Sequence, residues 1–231
     1  MRRGSERFIH DLGLGLSRLG HRPGLITSHP GARQVSLEEG LEVIRNFRPR
    51  GARAQVGLRG VYLTHLPASR RALRDRDPAI GHALYPTDGL VVNRWARGGG
   101  GPAVFSVMGL PDSAALRARP LWRAIIGRAL RGADAAVALS ARAAGRIDDL
   151  FGVECRVIYP GVDLDSFRRS AERTPAPTIF CPADVHDPRK RVGLLVSAFE
   201  LLRAEYPEAT LVLSRPQPGA PPFDTAQTRG V

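Results

Sequence analysis

Apolar positions along the chain change period several times, and the changes divide it into alternating helical and extended segments. Phe8, Leu12, Leu16 and Leu19 recur at three- and four-residue spacing, as on the buried face of a helix. Ser5, directly after Gly4, is placed to cap that helix, leaving the N–H groups of its first turn open to an anion; an ordinary capped helix without a ligand fits the same pattern. Gly20 and His21 end it, and residues 23–28 read as a strand. LEVIR at 41–45 alternates like a short strand, a Gly/Arg-rich loop spans 49–59, and a helix runs to Arg74, most securely from Pro67. A small-residue strand over 79–84 and a helical segment over 89–95 follow, ended by four glycines at 98–101 that read as a flexible connector.

PAVFSVM at 102–108 is the clearest buried strand, ending at Gly109. A helix over 114–131 places Leu116, Leu121, Ile125 and Leu130 inward, with Arg117, Arg119, Arg123, Arg128 and Arg131 around the rest of its circumference. That basic face is either solvated or drawn to anionic lipid. Then come a strand over 134–139, a helix capped by Ser140 and running to Leu150, and a strand over 155–159 broken by Pro160 and Gly161. Residues 163–177 are polar and proline-bearing, as in a linker. A strand over 178–181, a helix with Leu194, Leu195, Ala198, Phe199 and Leu202 inward, and a strand over 209–214 make a second α/β unit.

The alternation predicts an α/β protein of Rossmann-type parallel sheets, with one domain over 1–162, a linker over 163–177 and part of a second domain over 178–231. In such sheets ligands bind at the carboxyl ends of the strands. Gly4 with Ser5, Met108 with Gly109, and the turn from Asp187 to Arg191 hold places of that kind.

Composition sharpens the choice of ligand. Of 34 Lys+Arg residues only Lys190 is a lysine, and it stands in the turn that opens the second unit's helix. A compact ammonium differs chemically from a planar guanidinium. The net charge of +12 points to an anionic partner: a phosphorylated small molecule, an anionic membrane surface or nucleic acid. Nucleic acid is not expected, because basic strands with interleaved aromatics are missing. Cys155 and Cys181 are the only cysteines and suit buried free thiols in a reducing cytosol, with neither a disulfide framework nor a metal site. No apolar run approaches the about 18 residues of a membrane span, so a cytoplasmic protein is expected, with room for peripheral contact at the membrane's inner face. A serine-hydrolase reading fails for want of a Gly-x-Ser-x-Gly elbow, although His65, His82 and His186 exist.

Four segments carry a resemblance. CRVIYPGVDLDSF at 155–167 looks like the interdomain segment of family 4 glycosyltransferases with the two-domain GT-B fold. DPRKRVGLLVSAF at 187–199, followed by YPEATLVL at 206–213, resembles the start of their donor-binding domain. GSERF at 4–8 through Gly20 and His21 resembles the glycine loop and first helix of their acceptor domain, and GADAAVALS at 132–140 resembles a further segment. The resemblance implies retaining sugar transfer from a nucleotide-sugar donor to a saccharide, lipid-linked or small-molecule acceptor, with no further cofactor and no metal. By position it assigns Lys190, with Arg191, to the donor diphosphate, and Gly4 and Ser5 to a glycine loop facing the same diphosphate or the acceptor. Met108, Gly109 and His82 become acceptor-cleft candidates; no catalytic residue is assigned.

The chain departs from the family pattern at several points. Asp184-Val-His186 stands where a Gly-Arg pair is usual, Arg191 where glycine is usual, and Met108 where a histidine often precedes the glycine. A first strand ahead of Gly4 and a Glu-x7-Glu segment beyond Leu213 are expected of the family and lie outside these residues. The resemblance therefore implies part of a glycosyltransferase, inactive as an isolated chain. A non-catalytic α/β module holding an anionic ligand, lipid or partner subunit on its basic surface is the alternative.

Overall fold

The first amphipathic segment forms helix α1, Gly4–Arg18, in a computed structural model that describes residues 4–49, 64–164 and 176–214. The helix already includes Gly4, so Ser5 lies within its first turn and is not its cap. Gly20, at φ +83, ends it early enough to leave Leu19 75% exposed. A Cβ on Gly13 would lie 2.9 Å from the Leu41 side chain, so glycine there lets α1 cross closely over the sheet.

Three strands follow: β1, Gly24–His29, β2, Gln34–Glu38, and β3, Leu41–Phe47. Strand β1 pairs parallel with β3, and β2 pairs antiparallel with it. The periodicity did not foresee β2. Its hairpin is closed by Glu39 and Gly40, both at positive φ, the two-residue geometry that matches the natural strand twist. As an edge strand β2 leaves Val35 and Leu37 exposed.

Helix α2 is His65–Arg76 and begins two residues before Pro67. Arg76 at its end holds Glu42 of β3 with two bonds of 2.6 and 2.9 Å, and that guanidinium draws the Glu42 carboxyl below its usual range. Then come β4, Gly81–Ala83, α3, Pro86–Ala96, β5, Ala103–Val107, α4, Ser113–Arg117, α5, Pro120–Gly132, β6, Ala135–Ala138, α6, Ala141–Phe151, and β7, Arg156–Val157. Strands β4-β5-β6-β7 form a parallel sheet in that order. Strands β1 and β4 are each an edge of their own sheet, although Ile26 of β1 reaches the core beneath the four-stranded one. That core centres on Phe105, Leu130, Ile147 and Trp95. Ser140 caps α6, its hydroxyl accepting from Ala143 N at 3.1 Å.

Two expectations for this unit need correction. The helix over 114–131 is two helices, because Pro120 lacks an N–H and opens a new helix at its first turn. The register restarts there and carries Leu121 outward, 65% exposed. The four glycines are no flexible connector: a Cβ on Gly100 would fall 2.3 Å from the Trp95 ring, and one on Gly101 would fall 2.3 Å from the Ala79 carbonyl oxygen. Gly100 and Gly101 are thus close-packed in a turn that seats Trp95, and Gly99, at φ +94, supplies its left-handed bend.

The chain divides into two units, Met1–Val162 and Asp163–Val231. The second holds β8, Thr178–Cys181, α7, Val192–Glu205, and β9, Thr210–Leu213, with β8 and β9 parallel. Its core is Val185, Val192, Val196, Phe199, Ala209 and Leu211. The buried stripe of α7 is thus Val192, Leu195, Val196, Phe199 and Leu202, whereas Leu194 and Ala198 are exposed. Residues 165–175 of the expected linker lie outside the described residues. Cys155 is buried and Cys181 half-buried, both as free thiols.

Two outcomes test this packing. Gly101→Ala should cost about 1–3 kcal/mol, since backbone blocks the added methyl, whereas Leu121→Gln should change stability by less than about 0.5 kcal/mol; urea unfolding of each variant measures both. Second, His82 Nε2 and Ser106 Oγ lie 2.7 Å apart, with Ser106 buried. His82 reaches solvent elsewhere, but burial of this inner edge lowers its pKa. The unfolded chain then binds the proton more readily, so the stabilisation is complete above about pH 6.5 and is lost as pH falls below it. Melting temperature should decline through that window, and His82→Gln should flatten the decline.

Candidate functional site

Strand β8 stops at Cys181, and the chain needs ten residues to turn into α7. Asp184 Oδ1 accepts from His186 N at 3.1 Å, and Ser214 donates its hydroxyl to Ala183 O at 2.5 Å, which ties the loop to the end of β9. Pro188–Lys190 form a single 3-10 turn, with Lys190 N donating to Asp187 O at 2.9 Å. Arg191 then adopts φ 50, ψ 43, a left-handed conformation that costs a side-chain-bearing residue about 1–2 kcal/mol relative to the right-handed form. This explains in physical terms why glycine would suit the position.

The turn presents Lys190 and Arg191, both exposed, at the start of the 14-residue α7. The Lys190 ammonium has no carboxylate or hydrogen-bond partner among the described residues. Unpaired N–H groups of a first turn carry partial positive charge, so this end of α7 adds to the two cations. Chemically, the arrangement attracts phosphate oxygens.

In the first unit, Met108 and Gly109 directly follow β5 and line a pocket of about 260 Å³. Leu84, Phe105, Val107, Trp122 and Ile126 give it apolar walls, and Asp112 and Arg119 add polar groups at its lining. Asp112 is itself held, its Oδ1 accepting from Ala114 N and Ala115 N at 2.9 and 3.3 Å. The Tyr85 and Trp122 rings meet at 5.5 Å and 47°. Burial, and secondarily the Asp88 carboxylate, push the Tyr85 phenol above its usual pKa. The aromatic wall escaped the sequence reading. Its signal was Pro86 and Pro120, each at a helix start, which sets where Tyr85 and Trp122 point.

The other candidates are placed apart from this pocket. His82 is not part of its lining and serves the β4–β5 contact instead. Gly4 and Ser5 are exposed in the first turn of α1, and a Cβ on Gly4 would meet nothing within 4 Å. A second polar group was also missed. Asn46 near the end of β3 donates to Ser69 of α2 at 3.4 Å, Ser69 Oγ lies 3.2 Å from His65 Nε2, and that nitrogen is 3.5 Å from Asp88 at the start of α3. His65 and Ser69 are one helical turn apart, but Asn46 and Asp88 come from other elements, so only the fold assembles the group.

No curated protein matches the sequence. The chain is similar in structure to a sucrose-phosphate synthase from Thermosynechococcus elongatus, at TM-score 0.70 and 17% identity, over 98% of this chain and 60% of that one. It is also similar to a glycosyltransferase from Rickettsia africae, at TM-score 0.58 and 14% identity, over 92% of this chain and 65% of that one. The chain therefore spans less than two thirds of the length of either, and identities this low speak to fold alone, here the GT-B type. The Glycosyltransferase Family 4 profile matches residues 2–166, more than half of the 231, and on that match the chain belongs to Glycosyltransferase Family 4.

Proposed function

We propose that the protein serves glycosyl transfer from a nucleotide-sugar donor, with the donor diphosphate at the Asp187 to Arg191 turn. The observation that carries this reading is the Lys190 ammonium, without a partner among the described residues, at the start of α7, in a chain whose first unit belongs to a glycosyltransferase family. In the transfer the bond between the anomeric carbon and the diphosphate oxygen breaks, the acceptor hydroxyl oxygen bonds to that carbon, and the hydroxyl proton passes to the departing diphosphate or to solvent. Negative charge collects on the departing nucleoside diphosphate. A preorganised ammonium and helix N–H groups stabilise that charge more in the transition state than in the donor. Donor and acceptor are the only molecules the step requires, so no further cofactor is assigned.

The pocket beside Met108 and Gly109 receives the acceptor in this reading. Its apolar and aromatic walls suit an acceptor with a hydrophobic face, whether a sugar ring stacked on Trp122 or the apolar part of a lipid-linked molecule. The strongly basic surface adds a means of peripheral contact with an anionic membrane. Among the described residues no helix is long and apolar enough to cross one.

Calorimetric titration with uridine, guanosine and adenosine diphosphates tests the donor site. One of them should bind, and Lys190→Ala should weaken it about 10- to 100-fold, the value of one charge-assisted hydrogen bond; wild-type protein that binds none favours the non-catalytic module. Gly109→Leu should separate the two sites. A Cβ there meets nothing within 4 Å, so folding should be unchanged, while binding of an alkyl glycoside as acceptor probe weakens at least about tenfold as the pocket mouth fills. Nucleoside diphosphate affinity should not move.

A further inference from the structure

A second concavity of the first unit lies elsewhere, in the groove between α3 and α5. It has a volume of about 440 Å³ and is lined by Leu90, Asn93 and Arg97 of the first helix and its cap, and by Ala124, Arg128 and Arg131 of the second. The three arginines share the groove without a carboxylate partner among the described residues. Arg97 gives its Nε to Asn93 O and Arg131 one Nη to Phe151 O, each at 3.2 Å. Both acceptors are neutral backbone groups, so most of the donors of three guanidiniums remain uncommitted.

Cations at helix ends gain from the helix dipole, which suits Arg97 and Arg131 but does not account for Arg128, a turn earlier in the same groove. Like charges brought together in one concavity repel, and an anion removes that cost. Asn93 points to the shape of the guest. It is 1% exposed and donates Nδ2 to Ala129 O at 2.9 Å; since a carbonyl only accepts, the amide orientation is set, and Oδ1 is left buried without a partner. A hydroxyl beside the anionic group would supply the missing donor. Leu90 and Ala124 offer an apolar flank.

We propose that this groove binds a phosphate monoester, its oxygens shared among Arg97, Arg128 and Arg131 in the bidentate manner that guanidinium favours. Its lining shares no residue with the Met108 pocket. Helices α3 and α5 run out toward the starts of β5 and β6, whereas the Met108 pocket lies past the carboxyl end of β5. A soluble phosphorylated metabolite and a phosphomonoester lipid headgroup share the same chemistry.

The test is thermal denaturation of the full chain in inorganic phosphate against chloride at matched ionic strength, together with flotation on phosphatidylcholine vesicles with and without phosphatidic acid. Phosphate should raise the melting temperature of the wild type, of Lys190→Ala and of Arg142→Gln, an exposed arginine outside the groove. The shift should vanish in the double variant Arg128→Gln, Arg131→Gln, with phosphate affinity about tenfold or more weaker and an unchanged melt in chloride. Flotation that needs phosphatidic acid and is lost in the double variant identifies the lipid as the source; a phosphate response without flotation identifies a soluble ligand. Equal phosphate shifts in wild type and double variant, or no response to phosphate by the wild type, overturn the proposal.

Discussion

The close approach of α3 and α5 over Phe105 is the contact on which the first unit depends. A Cβ on Gly89 would lie 2.9 Å from the Ala129 methyl and 3.3 Å from the Phe105 ring, so only a residue without a side chain lets the two helices come this near. Asn93 then reaches Ala129 O, and Gly132 accommodates the Asn93 amide at 2.5 Å from where its own Cβ would stand. Both faces of a parallel sheet must be covered. Here small residues let one face be covered tightly at the strand that bears Met108 and Gly109.

That contact also creates both concavities. Where the helices begin, Pro86 and Pro120 set the first turns and bring Tyr85 and Trp122 together beside the end of β5. Toward their other ends the helices carry Arg97, Arg128 and Arg131, and the groove between them gathers the charge. One packed pair thus presents an aromatic pocket and a cationic groove at opposite reaches of the same sheet. In the second unit the comparable constraint is a single backbone conformation. Left-handed Arg191 reverses the chain so that α7 starts beside Lys190, and the register it sets decides which leucines are buried.

Much of this was legible from periodicity and residue chemistry. The strand around Phe105, the Ser140 cap, the βαβ order of the second unit and the strand-turn-helix setting of Lys190 all follow from local pattern, because each depends on neighbours within a few residues. Readings failed where a distant partner or a proline intervened. The expected helix over 114–131 ignored the missing N–H of Pro120, and the four glycines looked flexible because Trp95 and the Ala79 carbonyl, which Gly100 and Gly101 pack against, are invisible in a run of glycine. Edge strand β2 was missed because its exposed alternation resembles a polar loop.

By itself, then, the sequence determined the alternating α/β architecture, the family and the placing of the one lysine at a helix start. These are set by short-range spacing and by side-chain type. Only the tertiary structure decided which residues share a site: Trp122 with Met108, Asn46 with Ser69 and His65, and Arg97 with Arg128 and Arg131. Those groupings depend on how closely helices approach across a sheet, which is governed by side-chain volume at a few contact points, Gly89, Ala129 and Gly132 among them, and not by the period of any one segment.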